Sequence, residues 1–148
     1  MTNWHLPRNF RFAGVHCGIR PGGERGRKDV GLIVSEVPAS AAGVFTQNRV
    51  RAAPVRVSQE RVPRGDARGV VVCSGNANAC TGAQGLADAR RMAEVAAVAA
   101  GCQPQQMLVC STGVIGRPLP MPTVEAGIRE AGQNLQGSAE GLRDFALS

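Results

Sequence analysis

Two short apolar runs, each opening into small polar residues and then into a helix, constrain this chain more than any other feature. The first, Gly69-Val-Val-Val-Cys-Ser74, is uninterrupted and bounded by glycine, and reads as a strand covered on both faces. A small-polar loop, Gly75-Asn-Ala-Asn-Ala-Cys-Thr-Gly82, follows it. Leu86, Ala89, Ala93, Ala96, Ala97 and Ala100 then fall at three- and four-residue spacings, with Asp88, Arg90, Arg91 and Glu94 off that stripe. This predicts an amphipathic helix from Gln84 to Ala100, with Gly101 placed to stop it. The unit repeats in kind: strand Gln106 to Cys110, loop Ser111-Thr-Gly-Val-Ile-Gly116, helix Val124 to Leu135. Pro118, Pro120 and Pro122 delay that helix, Pro122 fits its first turn, Gly137 ends it, and Ala139 to Ala146 make one short helix more. Helices layered on a sheet, an α/β class, are the consequence. Both loops leave the same ends of their strands and so are expected to be neighbours.

The first half has another rhythm. From Phe10 to Val57 it reads as short strands cut by turns: Phe12 to Ile19, Val30 to Val37 and Gly43 to Thr46, with an exposed turn over Arg20 to Lys28. With four Phe, one Trp, no Tyr and 19 Gly in 148 residues, the core must be built from small, closely approached side chains. That length suits one domain or part of a larger one. The net charge of +6 resides in residues 1–74, which hold twelve basic and five acidic side chains. The arginines are spread singly, the densest cluster being Arg25 to Lys28, and few aromatics remain to stack on bases, so nucleic acid is not the expected partner. The glycine-rich turn lacks phosphate-loop spacing, and Asp29 follows the lysine where Ser or Thr is required.

Cys17, Cys73, Cys80, Cys102 and Cys110 are odd in number and contain no C-x-x-C pair, which predicts neither a disulfide framework nor a metal site. Cys73 and Cys110 lie in apolar runs and read as small hydrophobes. No run approaches the length of a membrane span and no leader pattern opens the chain, so a reducing, cytoplasmic setting is expected.

Polar chemistry gathers in the two loops. Thr112-Gly113 offers a hydroxyl beside a glycine N–H, two convergent donors of the kind that hold the oxyanion of an acyl-transfer intermediate; an ordinary strand-to-helix turn has the same residues. Asn76 and Asn78 either contact a ligand or close turns through side-chain to backbone bonds. Cys80 as a nucleophile would need a base, and the two histidines, His5 and His16, are remote in sequence, His16 reading as a core or sheet-face residue.

Phe12-Ala-Gly-Val-His-Cys-Gly-Ile-Arg20, Arg27-Lys-Asp-Val-Gly-Leu-Ile-Val34, Pro38 to Thr46 with Asn48-Arg-Val50, the Ser74 to Gly82 loop, and Ser111 to Gly116 with Leu119-Pro-Met121 resemble the N-terminal part of the bifunctional ornithine acetyltransferase / N-acetylglutamate synthase family. The resemblance runs from about residue 10 to the end. It implies a layered αββα sandwich and a self-processing precursor, whose α and β chains assemble as α2β2. The β chain of such enzymes begins with a threonine nucleophile, which takes acetyl from N-acetylornithine and passes it to glutamate without a cofactor, acetyl-CoA staying open as a further donor. It further implies that Thr112 and Gly113 are the oxyanion donors. The family's cleavage segment is absent here and no threonine matches the nucleophile, so Thr46, Thr81 and Thr123 are not expected to replace it. Residues 1–148 are thus expected to be the α-chain portion of one acetyltransferase domain, inactive alone and completed by a β chain; Asp144 to Ser148 breaks off mid-pattern. Two other readings stay open: a related self-processing aminopeptidase, and a non-catalytic basic binding module.

Overall fold

The computed structural model describes residues 6–20 and 26–148. The turn expected beyond Arg20 and the residue His5 lie largely or wholly outside them. Four strands form one mixed sheet in the order β1-β2-β3-β4: β1 Phe10–Val15, β2 Val30–Ala41, β3 Arg64–Asn76 and β4 Met107–Val114. The first two pairings are antiparallel and β3 pairs with β4 in parallel, joined by helix α2, Gly82–Ala100. Helices α1, Ala53–Gln59, α3, Met121–Gln133, and α4, Ala139–Ala146, complete the described fold. This is the layered α/β arrangement expected, with one sheet and its helix layer among the described residues.

One face of the sheet carries the core. Ala13, Val15, Val30, Leu32, Val71, Cys73, Met107 and Val109 alternate onto it and are closed over by α2 and α3. The alanine stripe behaves as read: Ala89, Ala93, Ala96 and Ala97 are buried, and Gly101 ends α2 in the left-handed conformation at φ 62°. Asp88, expected off the stripe, is buried, its carboxylate accepting from Gln84 Nε2 at 2.8 Å. Pro122 does stand in the first turn of α3, whose cap is Asn134 rather than Gly137, and α4 forms where expected, with Ser138 Oγ accepting from the Gly141 N–H.

The second face is covered only in part. Helix α4 crosses β1 and β2 at Gly14 and Gly31, which sit opposite each other in register; a Cβ on Gly14 would lie 2.0 Å from the Asp144 carbonyl oxygen. Over β3 and β4 the same face is open: Val70, Val72 and Leu108 are half-buried and Cys110 is exposed. The expectation of a first strand covered on both faces therefore holds on one face of this chain alone, and Cys110 is not a core residue.

Each sheet edge is plugged at one residue. Ser58 of α1 spans Val109, donating its hydroxyl to the carbonyl oxygen at 2.8 Å and accepting from the N–H at 2.9 Å. At the other edge, Phe12 and Gln136 exchange backbone hydrogen bonds of 3.0 and 3.1 Å. Such plugs hinder lateral strand addition at those positions.

Three expectations in the first half need correcting. Gly43 to Thr46 is not a strand; it lies in an exposed segment where Val44 is wholly solvent-accessible. The stretch read up to Val57 as strands cut by turns ends instead in a helix: residues 53–59 form α1, which Pro54 starts by occupying a position where no N–H is needed. His16 lies just past β1, exposed, with Nδ1 2.5 Å from the Arg27 carbonyl oxygen, and is neither core nor sheet-face.

Candidate functional site

The residues read as loop formers continue the strands. β3 runs through Ser74-Gly75-Asn76 and β4 through Ser111-Thr112-Gly113-Val114, so the parallel ladder places Ser74 beside Thr112 and Gly75 beside Gly113. Small polar residues resemble turn formers, but here closeness of backbones is what selects them. Gly113 has φ 132°, and a Cβ there would stand 2.3 Å from the Gly75 carbonyl carbon and 2.6 Å from the Asn76 nitrogen. No other residue fits that position without moving a strand.

Beyond the strands the two connections are tied together. Ala77 N–H donates to the Val114 carbonyl and Gly116 N–H to the Ala79 carbonyl, both at 2.9 Å. Asn76 Nδ2 donates to the carbonyls of Arg117 and Pro118 at 3.2 and 3.0 Å, while its Oδ1 accepts from Asn78 N–H at 2.9 Å. Asn78 is fully buried at φ 47°; its Nδ2 donates to Gly85 O at 2.9 Å and its Oδ1 accepts from Thr81 Oγ1 at 2.7 Å. The asparagines are thus the turn-closing pair of the two readings, with their polar atoms spent inside the protein.

Thr112 and Gly113 are both exposed, in contrast with the buried Ser74 and Asn76 of the neighbouring strand. Alternation along β4 turns Ser111 toward Met92 of α2, its Oγ 4.0 Å from the sulfur, and therefore turns Thr112 to the open face of the sheet. Arg20 lies beside them: its Nη2 donates to Ser74 Oγ at 3.2 Å, and its Cα is 3.0 Å from where a Cβ of Gly75 would stand. A guanidinium one register position from Thr112 gives this end of the sheet a positive charge. Arg20 was not singled out from the sequence; its one signal is an arginine closing the glycine-punctuated run Phe12 to Ile19.

Asp29 anchors the same end of the sheet. Its buried carboxylate accepts from the N–H groups of Cys17 at 2.6 Å and Ile19 at 2.7 Å, and its carbonyl accepts from Ser74 N–H at 2.8 Å. Burial, and then the Asp29 charge, pushes the thiols of Cys17 and Cys73 up to about 12, so neither is a thiolate nucleophile near neutrality. Cys80, exposed at φ 58°, is remote from any described histidine in sequence and has no hydrogen-bonded base among the described residues. No cluster of three potential metal ligands occurs among the described residues, and no described helix is long and apolar enough to cross a membrane.

The fold and site define an α/β protein whose polar chemistry is gathered where two parallel, small-residue strands end side by side. A model of the ArgJ family matches residues 11–146, and the chain belongs to that family. It is 52% identical over 140 residues to the arginine biosynthesis bifunctional protein ArgJ of Symbiobacterium thermophilum, covering 95% of this chain and 34% of that protein. It is 53% identical over 132 residues to the ArgJ protein of Thermotoga neapolitana, covering 88% and 32%. The chain therefore spans about a third of the length of these curated relatives. Among solved structures it superposes on ArgJ of Bacillus halodurans with a TM-score of 0.86 at 42% identity, covering 95% of this chain and 71% of that one. It also superposes on the ornithine acetyltransferase of Mycobacterium tuberculosis, solved with ornithine, with a TM-score of 0.89 at 40% identity, covering 95% and 75%.

Proposed function

We propose that this chain supplies the oxyanion hole of a cytoplasmic ornithine acetyltransferase, transferring acetyl from N-acetylornithine to glutamate, with the nucleophilic threonine on a β chain of the same precursor. The observation that carries the reading is the pairing of Thr112 with Ser74 and of Gly113 with Gly75, which presents an exposed hydroxyl and a glycine at the open face. An attacking threonine hydroxyl gives its proton to the N-terminal amine of its own chain and bonds to the acetyl carbon. The carbonyl oxygen takes up negative charge, which in this reading the Thr112 O–H and Gly113 N–H receive, the Arg20 guanidinium on Ser74 adding a cation at the same end of the sheet. Collapse expels ornithine as the ammonium returns the proton to its nitrogen, leaving an acetyl-enzyme; the glutamate amine then attacks the acetyl carbon through the same tetrahedral geometry, giving up a proton as the bond to threonine breaks and releasing N-acetylglutamate and the free threonine hydroxyl. The uncovered apolar strip over β3 and β4, Val70, Val72, Leu108 and Cys110, supports a second layer supplied by the β chain, as an αββα sandwich requires. Two such pairs would make the α2β2 assembly.

Thr112→Ala in the complete enzyme tests the assignment. Loss of one oxyanion donor is expected to slow acetyl transfer by about 100-fold or more, with assembly intact. An unchanged rate in a correctly assembled variant removes Thr112 from the mechanism.

A further inference from the structure

Asp29 is a buried carboxylate, 2% exposed, that the proposed transfer chemistry does not use. Each of its oxygens accepts one backbone N–H, Oδ1 from Cys17 at 2.6 Å and Oδ2 from Ile19 at 2.7 Å. Among the described residues it forms no ion pair. A buried charge without a cation is costly, and closing a turn does not require one, since Asn78 closes its own with a neutral amide. What a carboxylate alone supplies is two acceptors on one short side chain, so that both N–H groups flanking Gly18 are held at once. Gly18, at φ 79°, is what turns them to the same side.

The same residue reaches both partners of the contact between Arg20 and Ser74. Ile19, held by the carboxylate, is the residue before Arg20, and the Asp29 carbonyl accepts from Ser74 N–H at 2.8 Å. Its own N–H donates to Val15 O at 2.9 Å, so the end of β1, the turn and β3 meet at one position. Arg20 Nη2 then donates to Ser74 Oγ at 3.2 Å, and Ser74 stands in register with Thr112. The fit is close: N, Cα and Cβ of Arg20 all lie 3.0 Å from where a Cβ of Gly75 would stand, and Gly75 is in register with Gly113. A shift of the turn therefore reaches the guanidinium and the glycine pair together.

We propose that Asp29 is a positioning residue for acetyl transfer, fixing through the Cys17 to Ile19 turn where the Arg20 guanidinium stands relative to Thr112. The inference rests on the oxyanion reading of Thr112 and Gly113 and adds the element that holds the neighbouring cation in place. Asp29→Asn removes one of the two acceptors and sets an amide NH2 against a backbone N–H, which releases one end of the turn. Gly18→Ala loosens the same turn without altering Asp29: φ 79° is unfavourable to alanine, while its Cβ would meet nothing within 4 Å.

Single-turnover acetylation of the complete enzyme by N-acetylornithine, without glutamate, tests it, the amplitude counting active sites and the time course giving their rate. Asp29→Asn and Gly18→Ala are each expected to lower the maximal rate about tenfold and to leave the half-saturating substrate concentration within about twofold. Combined with Arg20→Gln, neither should slow the enzyme further, because all three changes remove the same placed cation. A merely structural role would lower the amplitude and the unfolding midpoint and leave the rate per site alone. Losses that multiply in the double variants overturn the proposal, as does a full-rate Arg20→Gln enzyme, or full rate in every variant of the turn that assembles. Gly18→Ala carries the decision if Asp29→Asn fails to assemble. Thr112→Ala separates this proposal from the reading it rests on. A fast Thr112→Ala enzyme with Asp29 and Arg20 still coupled removes the oxyanion assignment and leaves the positioning, whereas a slow one with Asp29 and Arg20 uncoupled does the reverse.

Discussion

Gly113→Ala separates crowding from conformation at the proposed oxyanion site, because Gly116, three residues on, provides its own control. Both glycines hold positive φ, 132° and 80°. They differ in surroundings: a Cβ at 116 meets nothing within 4 Å, whereas one at 113 comes within 2.3 Å of the Gly75 carbonyl carbon. Ordinary contact begins near 3.4 Å, so the end of β4 must move away from β3 by about 1 Å to admit a methyl group. Holding Ala at such a φ costs about 1–3 kcal/mol at either position. Only at 113 is a displacement added, and a shift of about 1 Å in a reacting constellation lowers rate on the order of 100-fold. In urea unfolding of the assembled enzyme Gly113→Ala should therefore lose more stability than Gly116→Ala, by the added cost of the displacement, while in single-turnover acetylation Gly116→Ala stays within several-fold of the parent and Gly113→Ala falls by about two orders of magnitude. Equal rates for the two variants, or a Gly113→Ala enzyme as fast as the parent, would refute the argument that strand crowding sets this site.

Arg20→Gln keeps the hydrogen-bonding reach toward Ser74 and removes the charge, so acetyl transfer should fall about tenfold with little change in unfolding midpoint; a full-rate enzyme would confine Arg20 to packing. Asn78→Ala strips Gly85 O and Thr81 Oγ1 of their partner in a fully buried position, which is expected to cost about 2–3 kcal/mol by urea titration, and a loss below about 0.5 kcal/mol would show the turn closes without it. The pH dependence has a definite sign: unfolded thiols shed their protons from about 9.0, but folded Cys17 and Cys73 only near 12, so stability falls as pH rises across that window. Cys73→Ala should flatten that fall in thermal melts taken from pH 8 upward, and an equally steep fall would place the titration elsewhere.

Local, periodic signals carried well from sequence to structure. The alanine stripe and Gly101 define α2 because a helix repeats its contacts every three or four residues and stops where a left-handed residue is easy. Pro122 located the start of its helix for an equally local reason. What failed was the part decided by partners distant in the chain. Val55 and Val57 favour strand alone, yet Pro54 and the packing of Ser58 on β4 make that stretch helical. Ser111, Thr112 and Gly113 look like a turn by composition, and only the ladder to β3 shows them to be strand. Asp88 is polar on its own helix and buried by the fold, where Gln84 satisfies it. Arg20 belongs to the site through Ser74, 54 residues away.

The distribution of closed and open surfaces limits how the proposed nucleophile can arrive. Lateral approach is obstructed where Ser58 sits on Val109 of the β4 edge and Gln136 on Phe12 of the β1 edge. Approach through the core face would pass α2 and α3, whose contacts with the sheet include residues with no exposed area, Met92 and Ile128 among them. The remaining direction is the second face beyond α4, and Thr112 is turned to that side by the same alternation that buries Val109 and aims Ser111 at Met92. Placing the hydroxyl on an uncovered face would serve no purpose in a self-contained enzyme, where water would compete for it and weaken an oxyanion bond. Under the proposed function the β chain therefore has two tasks that cannot be separated: it brings the threonine, and by covering Val70, Val72 and Leu108 it removes the water that would otherwise screen Thr112 and Arg20.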